Sequence, residues 1–119
     1  MKWNPYAATC PTRQLLDRIS DKWVVLVLTL LEDGPKRFSV LKREIDGISQ
    51  KMLSQTLRAL EQDGFITRRA FPTVPVTVEY ELTSLGRSLS VALTPIIDWA
   101  SANMNRVLKA RDAYEKKPE

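Results

Sequence analysis

Gln50, Lys51, Ser54, Gln55 and Arg58 are spaced at one, four, five and eight residues from the first of them. On an α-helix those spacings place all five on one face. The face would offer amides, a hydroxyl and two cations, with no carboxylate. Groups of this kind read base edges in the DNA major groove. Gln can pair with adenine through two hydrogen bonds and Lys with guanine, each pair giving roughly 1–3 kcal/mol of discrimination. A merely solvated helix face can have the same composition, so the rest of the chain must decide between the two readings.

The sequence specifies both ends of the helix that would carry these residues. Ser49 is a natural N-cap, and Ile48 before it pairs with Leu53 as a hydrophobic staple. Gly64 can adopt the left-handed conformation that stops a helix, with Phe65 falling back on Leu60. Met52, Leu53, Leu57 and Leu60 form the opposite, apolar stripe.

The chain has 119 residues, 44% hydrophobic and 27% charged, which predicts one soluble domain spanning 1–119. No apolar run approaches the ~20 residues that span a bilayer. The start, Met-Lys-Trp-Asn-Pro, lacks the apolar core of a signal peptide, so a cytoplasmic location is expected. There is one cysteine, Cys10, and no histidine. An intrachain disulfide is excluded, and a zinc site or His-based catalysis is disfavoured. No Gly-rich phosphate loop or nucleophile–base pair is present, so neither an enzyme nor a cofactor is expected. The net charge of +4 is concentrated between Lys36 and Arg69, where eight cations face four anions. A basic excess centred on one motif suits a nucleic-acid binder, or simply a soluble basic surface.

Flanking patterns predict the scaffold. A short helix begins near Pro11 with Leu15, Leu16 and Ile19 on its apolar side, and Ser20 or Asp21 caps a second, almost wholly apolar helix over 22–31. After an extended link at Phe38, Ser39 is expected to cap a third helix with Val40, Leu41 and Ile45 inward. Asp46-Gly47 turns the chain into the helix of Gln50 and Gln55, giving a helix-turn-helix over about 39–63. The period then changes to two. Strands over 65–71 and 76–82, joined by Pro72-Thr73-Val74-Pro75, predict a β-hairpin wing on which Arg68 and Arg69 stand. Thr83 caps a terminal helical region, and Pro95 is expected to break it into helices over 84–93 and 94–110, followed by a frayed charged tail. The apolar side of this region exceeds what one small core needs. Leu15, Ile96, Trp99, Met104 and Val107 are therefore expected at a homodimer interface, ordinary packing on the second helix being the alternative. The fold class is mainly α with a small β-hairpin (α+β): a winged helix-turn-helix with dimerisation helices over about 11–19 and 84–110.

With these elements in place the chain resembles the HxlR-type branch of the MarR-like winged-helix transcriptional regulators. The resemblance rests on Cys10-Pro11, Asp21-Lys22-Trp23, Gly34-Pro35-Lys36-Arg37-Phe38, Gly47-Ile48-Ser49-Gln50-Lys51-Met52-Leu53, Asp63-Gly64, Val78-Glu79-Tyr80, Leu82-Thr83, Leu85-Gly86-Arg87 and Asp98-Trp99. It implies a homodimer that binds a pseudo-palindromic double-stranded operator, with half-site centres about 34 Å apart. By position, Gln50, Lys51 and Gln55 become base-edge candidates. Lys36, Arg37, Ser39, Ser49, Ser54, Arg58, Arg68 and Arg69 become phosphate candidates. Several relatives sense oxidants or electrophiles through a cysteine near the first helix, and Cys10 matches that position. A thiol beside a helix N-terminus and near Arg13 is compatible with thiolate character; an inert thiol kept by packing is the alternative. A winged helix that binds protein, or a constitutive DNA binder without sensing, remains the rival. No residue set marks a small-molecule effector.

Overall fold

The computed structural model describes residues 2–118. Its elements run α1 (Pro11–Ile19), α2 (Lys22–Leu30), a single 3-10 turn (Leu31–Asp33), β1 (Lys36–Arg37), α3 (Phe38–Glu44), α4 (Gln50–Gln62), β2 (Ile66–Phe71), β3 (Thr77–Leu82) and α5 (Ser84–Glu115). The result is a mainly helical α+β fold, a winged helix-turn-helix.

α2 is the central pillar. Asp21 caps it by accepting the N–H groups of Trp23 at 2.8 Å and Val24 at 3.3 Å. Val24, Val27, Leu28 and Leu31 are buried against Leu41 and Ile45 of the α3 region, Leu53, Leu57 and Leu60 of α4, Ile66 and Leu82 of the sheet, and Leu93 of α5. This cluster fixes α4 from below, so the opposite face of α4 must look outward.

Four local expectations need correction. Ser39 does not cap α3: the helix starts at Phe38, Arg37 occupies the N-cap position without a side-chain cap bond, and Ser39 lies inside the first turn. The link before Phe38 is a third strand, β1, so the sheet has the order β1-β3-β2. Lys36 and Arg37 pair with Tyr80 and Glu79 of β3, a partnership that local pattern cannot reveal. Pro95 does not split the terminal helix; α5 is continuous over 32 residues. Pro95 removes one donor from the ladder, but Val91, whose carbonyl loses it, is 63% exposed and can be hydrated. The tail does not fray from residue 111, since helix persists to Glu115.

α5 attaches to the core only by its first turns, where Gly86, Ser90 and Leu93 are buried. Ser90 donates to the Leu28 carbonyl at 3.3 Å and to the Glu32 carboxylate, which also accepts from Thr94 at 3.1 Å. Beyond this polar clasp the helix projects. The radius of gyration is 17.7 Å, against about 13.5 Å for a compact chain of this length. Ile96, Trp99, Asn103 and Val107 share one side of the projecting part; Ile96 and Trp99 are 62% and 63% exposed, while Val107 is half-buried. Met104 lies on the adjoining side, and Leu15 is exposed on α1.

Candidate nucleic-acid interface

α4 begins and ends as its sequence specifies. The Ser49 hydroxyl accepts the Met52 N–H at 3.0 Å, and Ile48 and Leu53 are both buried beside this cap. At the other end Gly64 has a φ of 80°. The Phe65 N–H donates to the Leu60 carbonyl and the Gly64 N–H to that of Glu61, the paired bonds of a Schellman stop. The buried side is Leu53, Thr56, Leu57 and Leu60. Met52, expected on that stripe, is 37% exposed, and Thr56 takes its place. The reason is angular: in the helical projection Thr56 lies about 40° beyond Leu60, whereas Met52 lies about 40° further out, toward α1.

Opposite this stripe Gln50, Lys51, Gln55 and Arg58 are exposed and Ser54 is half-exposed. Two clefts bound the face. On one side a cleft of about 490 Å³ separates α4 from α1 and α2, with Gln55 and Met52 on one wall and Gln14, Asp17 and Arg18 on the other. On the other side a cleft of about 320 Å³ lies between α4 and the wing, lined by Ser54, Arg58, Glu61, Arg68 and Tyr80. Gln50 and Lys51 stand at the free N-terminal end of the helix, where its unpaired N–H groups add partial positive charge.

The phosphate candidates separate into groups. Ser54, Arg58 and Arg68 meet in the cleft beside the wing. Arg37 and Ser39 line another of about 320 Å³, between the start of α3 and the wing residues Val76, Thr77 and Val78. Arg68 and Arg69, adjacent in sequence, point to opposite faces of β2 because side chains alternate along a strand. Arg68 pairs across the sheet with Tyr80, and Arg69 pairs with Glu79 while lying 5.8 Å from the Phe71 ring. Lys36 is drawn back from the surface toward Glu44, at 3.7 Å, with its side chain only 18% exposed.

Sequence inspection missed the tie between α1 and the end of α4. Arg18 Nε donates to Asp63 Oδ2 at 2.8 Å, across 45 residues. Two oppositely charged side chains this far apart in sequence carry no local signal. Cys10 occupies the N-cap position of α1 and is buried, although its sulfur forms no capping hydrogen bond. Burial pushes its thiol up. The backbone and hydroxyl of Thr12, with the backbone of Arg13 and Asn4, outweigh that and hold it below the ordinary thiol value.

Among the described residues no helix is long and apolar enough to cross a membrane. In sequence, 109 residues are 48% identical to the HTH-type transcriptional regulator YtfH of Escherichia coli (strain K12), covering 92% of this chain and 86% of the relative. The solved structure of the transcriptional regulator ytfH from Salmonella typhimurium is similar with a TM-score of 0.88 and 45% identity, over 92% of this chain and 98% of that one. The redox regulator HypR in its reduced form is similar with a TM-score of 0.75 and 37% identity, over 84% and 98%. The model of the HxlR-like helix-turn-helix family matches residues 18–108, from the end of α1 through most of α5, and the chain belongs to that family.

Proposed function

We propose that the protein is a cytoplasmic transcriptional regulator that binds a pseudo-palindromic DNA operator as a homodimer. The carboxylate-free outer face of the first turns of α4 carries this reading: Gln50, Lys51, Gln55 and Arg58 are exposed on a helix whose opposite side is locked into the core. In the major groove Gln50, Lys51 and Gln55 read base edges. Ser49, Ser54 and Arg58 hold phosphates from α4, Lys36, Arg37 and Ser39 from the β1–α3 corner, and Arg68 and Arg69 from the wing. A second copy packs on the exposed side of α5 around Ile96 and Trp99, with Met104, Val107 and Leu15 of α1 at its margins. This sets the recognition helices about one DNA turn, roughly 34 Å, apart.

Control through Cys10 is the second part of the proposal. Its support is a thiol held below its ordinary value at the start of α1, together with a structural relative described as a redox regulator. With one cysteine per chain, oxidation can join two copies: two thiolates give up two electrons, an oxidant such as diamide accepts them with two protons, and one S–S bond forms.

In vitro selection of bound duplexes supplies the test sequence. Titration of that duplex against random DNA at two salt concentrations should show at least about a 1,000-fold preference, and Gln55→Ala should relax preference at one base pair in each half-site. Equal affinity for selected and random DNA at both salt concentrations would overturn the proposal.

A further inference from the structure

The cleft between α4 and the wing contains a group that the base and phosphate candidates do not use. Tyr80 on β3 is only 8% exposed, its ring packed into the core cluster. Its hydroxyl has no hydrogen-bond partner among the described residues, where no buried side-chain N or O is left unpaired, so the hydroxyl opens to solvent. Tyr80 lines the cleft together with Ser54 and Arg58. Cross-strand register places Arg68 directly beside Tyr80 on the same sheet face. Neither Arg58 nor Arg68 takes part in the ion pairs of the described residues, which join Arg18 to Asp63, Lys36 to Glu44 and Lys116 to Asp112. Glu61 is the single carboxylate lining the cleft, so two guanidinium groups leave it net positive.

We infer that Tyr80, Arg58 and Arg68 form a seat for one phosphodiester of the DNA backbone. The Tyr80 hydroxyl donates to a non-bridging oxygen, and the two guanidinium groups balance the charge. The chemistry fits an anion rather than a base edge: a neutral donor fixed by its buried ring, flanked by two cations that planar forks aim at oxygen. The position also fits, because the seat joins the recognition helix to the wing and would fix their common register on the duplex. This inference rests on the DNA-binding reading above.

Tyr80→Phe removes only the hydroxyl and keeps the packed ring, so its melting temperature should match the native protein's. Binding to operator and to random duplex should weaken equally, by about ten-fold for each of the two seats and so about 100-fold for the dimer, as for loss of a hydrogen bond to a charged group at each. The salt dependence should stay unchanged, whereas Arg68→Ala should lower its slope by about two, one for each subunit. In the DNA, replacing phosphates singly by methylphosphonate should reveal one position per half-site that weakens native binding more than it weakens Tyr80→Phe, the remaining loss in the variant being that of Arg58 and Arg68. Tyr80→Phe binding both duplexes as tightly as native, weakening only the operator, or coupling to no phosphate would each overturn the seat while native binding upholds the regulator reading. A native protein that binds no duplex would overturn both.

Discussion

Gly86 lies in the first turn of α5, where that helix rests on the stop of α4. A β-carbon there would sit 1.9 Å from the Phe65 carbonyl oxygen and 2.8 Å from its carbonyl carbon. Both are backbone atoms and cannot rotate away. Unbonded heavy atoms rest at about 3.5–4.0 Å, so relief requires α5 to move by roughly 1.5 Å. That movement strains two bonds that hold α5 to α4: the Thr83 N–H to the Phe65 carbonyl at 3.0 Å, and the Thr83 hydroxyl to the Gly64 carbonyl at 2.6 Å. Overpacking costs about 1–3 kcal/mol, and each weakened hydrogen bond about 0.5–1.5 kcal/mol. Alanine returns about 1 kcal/mol through its helix preference. Gly86→Ala should therefore lose about 3 kcal/mol, a fall of about 10 °C in melting temperature for a chain of this size. Thermal and urea unfolding measure it, with exposed Ser88→Ala as the control expected to stay within about 0.5 kcal/mol of native. If Gly86→Ala melted at or above the native temperature, helix propensity would be the governing effect and the close approach of α5 to Phe65 would be wrong.

Two further outcomes concern the dimer and the thiol. Trp99→Asp places a carboxylate on the exposed side of α5, where a buried Trp would contribute about 4 kcal/mol by area. Sedimentation should show a folded monomer whose unfolding temperature is lower than the native dimer's and no longer rises with protein concentration, and an unchanged dimer would move the interface elsewhere. For Cys10, the folded thiol lies below its ordinary value, so thiolate accumulates at lower pH than in a free cysteine. The rate of alkylation should therefore rise through a midpoint below that of a cysteine peptide, and a midpoint at or above the peptide's would remove the basis for sensing.

Local chemistry was the legible part of this chain. Ser49, Asp21 and Thr83 cap the helices that their positions announce, and Gly64 stops α4 with both expected bonds. Each depends on atoms within a few residues. The parts that could not be read depend on partners far along the chain. Lys36 and Arg37 form a strand only because β3 presents Tyr80 and Glu79 to them. α5 runs through Pro95 because Val91, whose carbonyl loses its donor, is exposed and because Thr94 and Ser90 are held from outside by Glu32. The candidate DNA face was legible as composition. Its boundaries were not: the division of Arg68 from Arg69 was implicit in strand alternation, but the cleft that gives Arg68 its neighbours forms only when the wing folds back beside α4.

The three residues after α4 are where its position can be altered from a distance. Asp63 receives Arg18 from α1, Gly64 receives the Thr83 hydroxyl, and Phe65 receives the Thr83 N–H from the start of α5. The two helices proposed to meet a second copy thus both touch the stop of α4, α1 near its end and α5 at its start. The Arg18–Asp63 pair is about a third exposed, so its contribution to stability is about 1 kcal/mol or less. Its mechanical role can exceed its energetic one, because it is the charged link between the helix that starts at Cys10 and the helix that would lie in the groove. Arg18→Ala should accordingly fold and bind operator nearly as the native protein does. After treatment with diamide, native binding should weaken, and Arg18→Ala should lose much of that response while Cys10 still reacts at the native rate. Equal responses in the two proteins would show that α1 passes its displacement to α4 through the dimer partner or α5 instead, since a coupling carried by this pair must disappear with it.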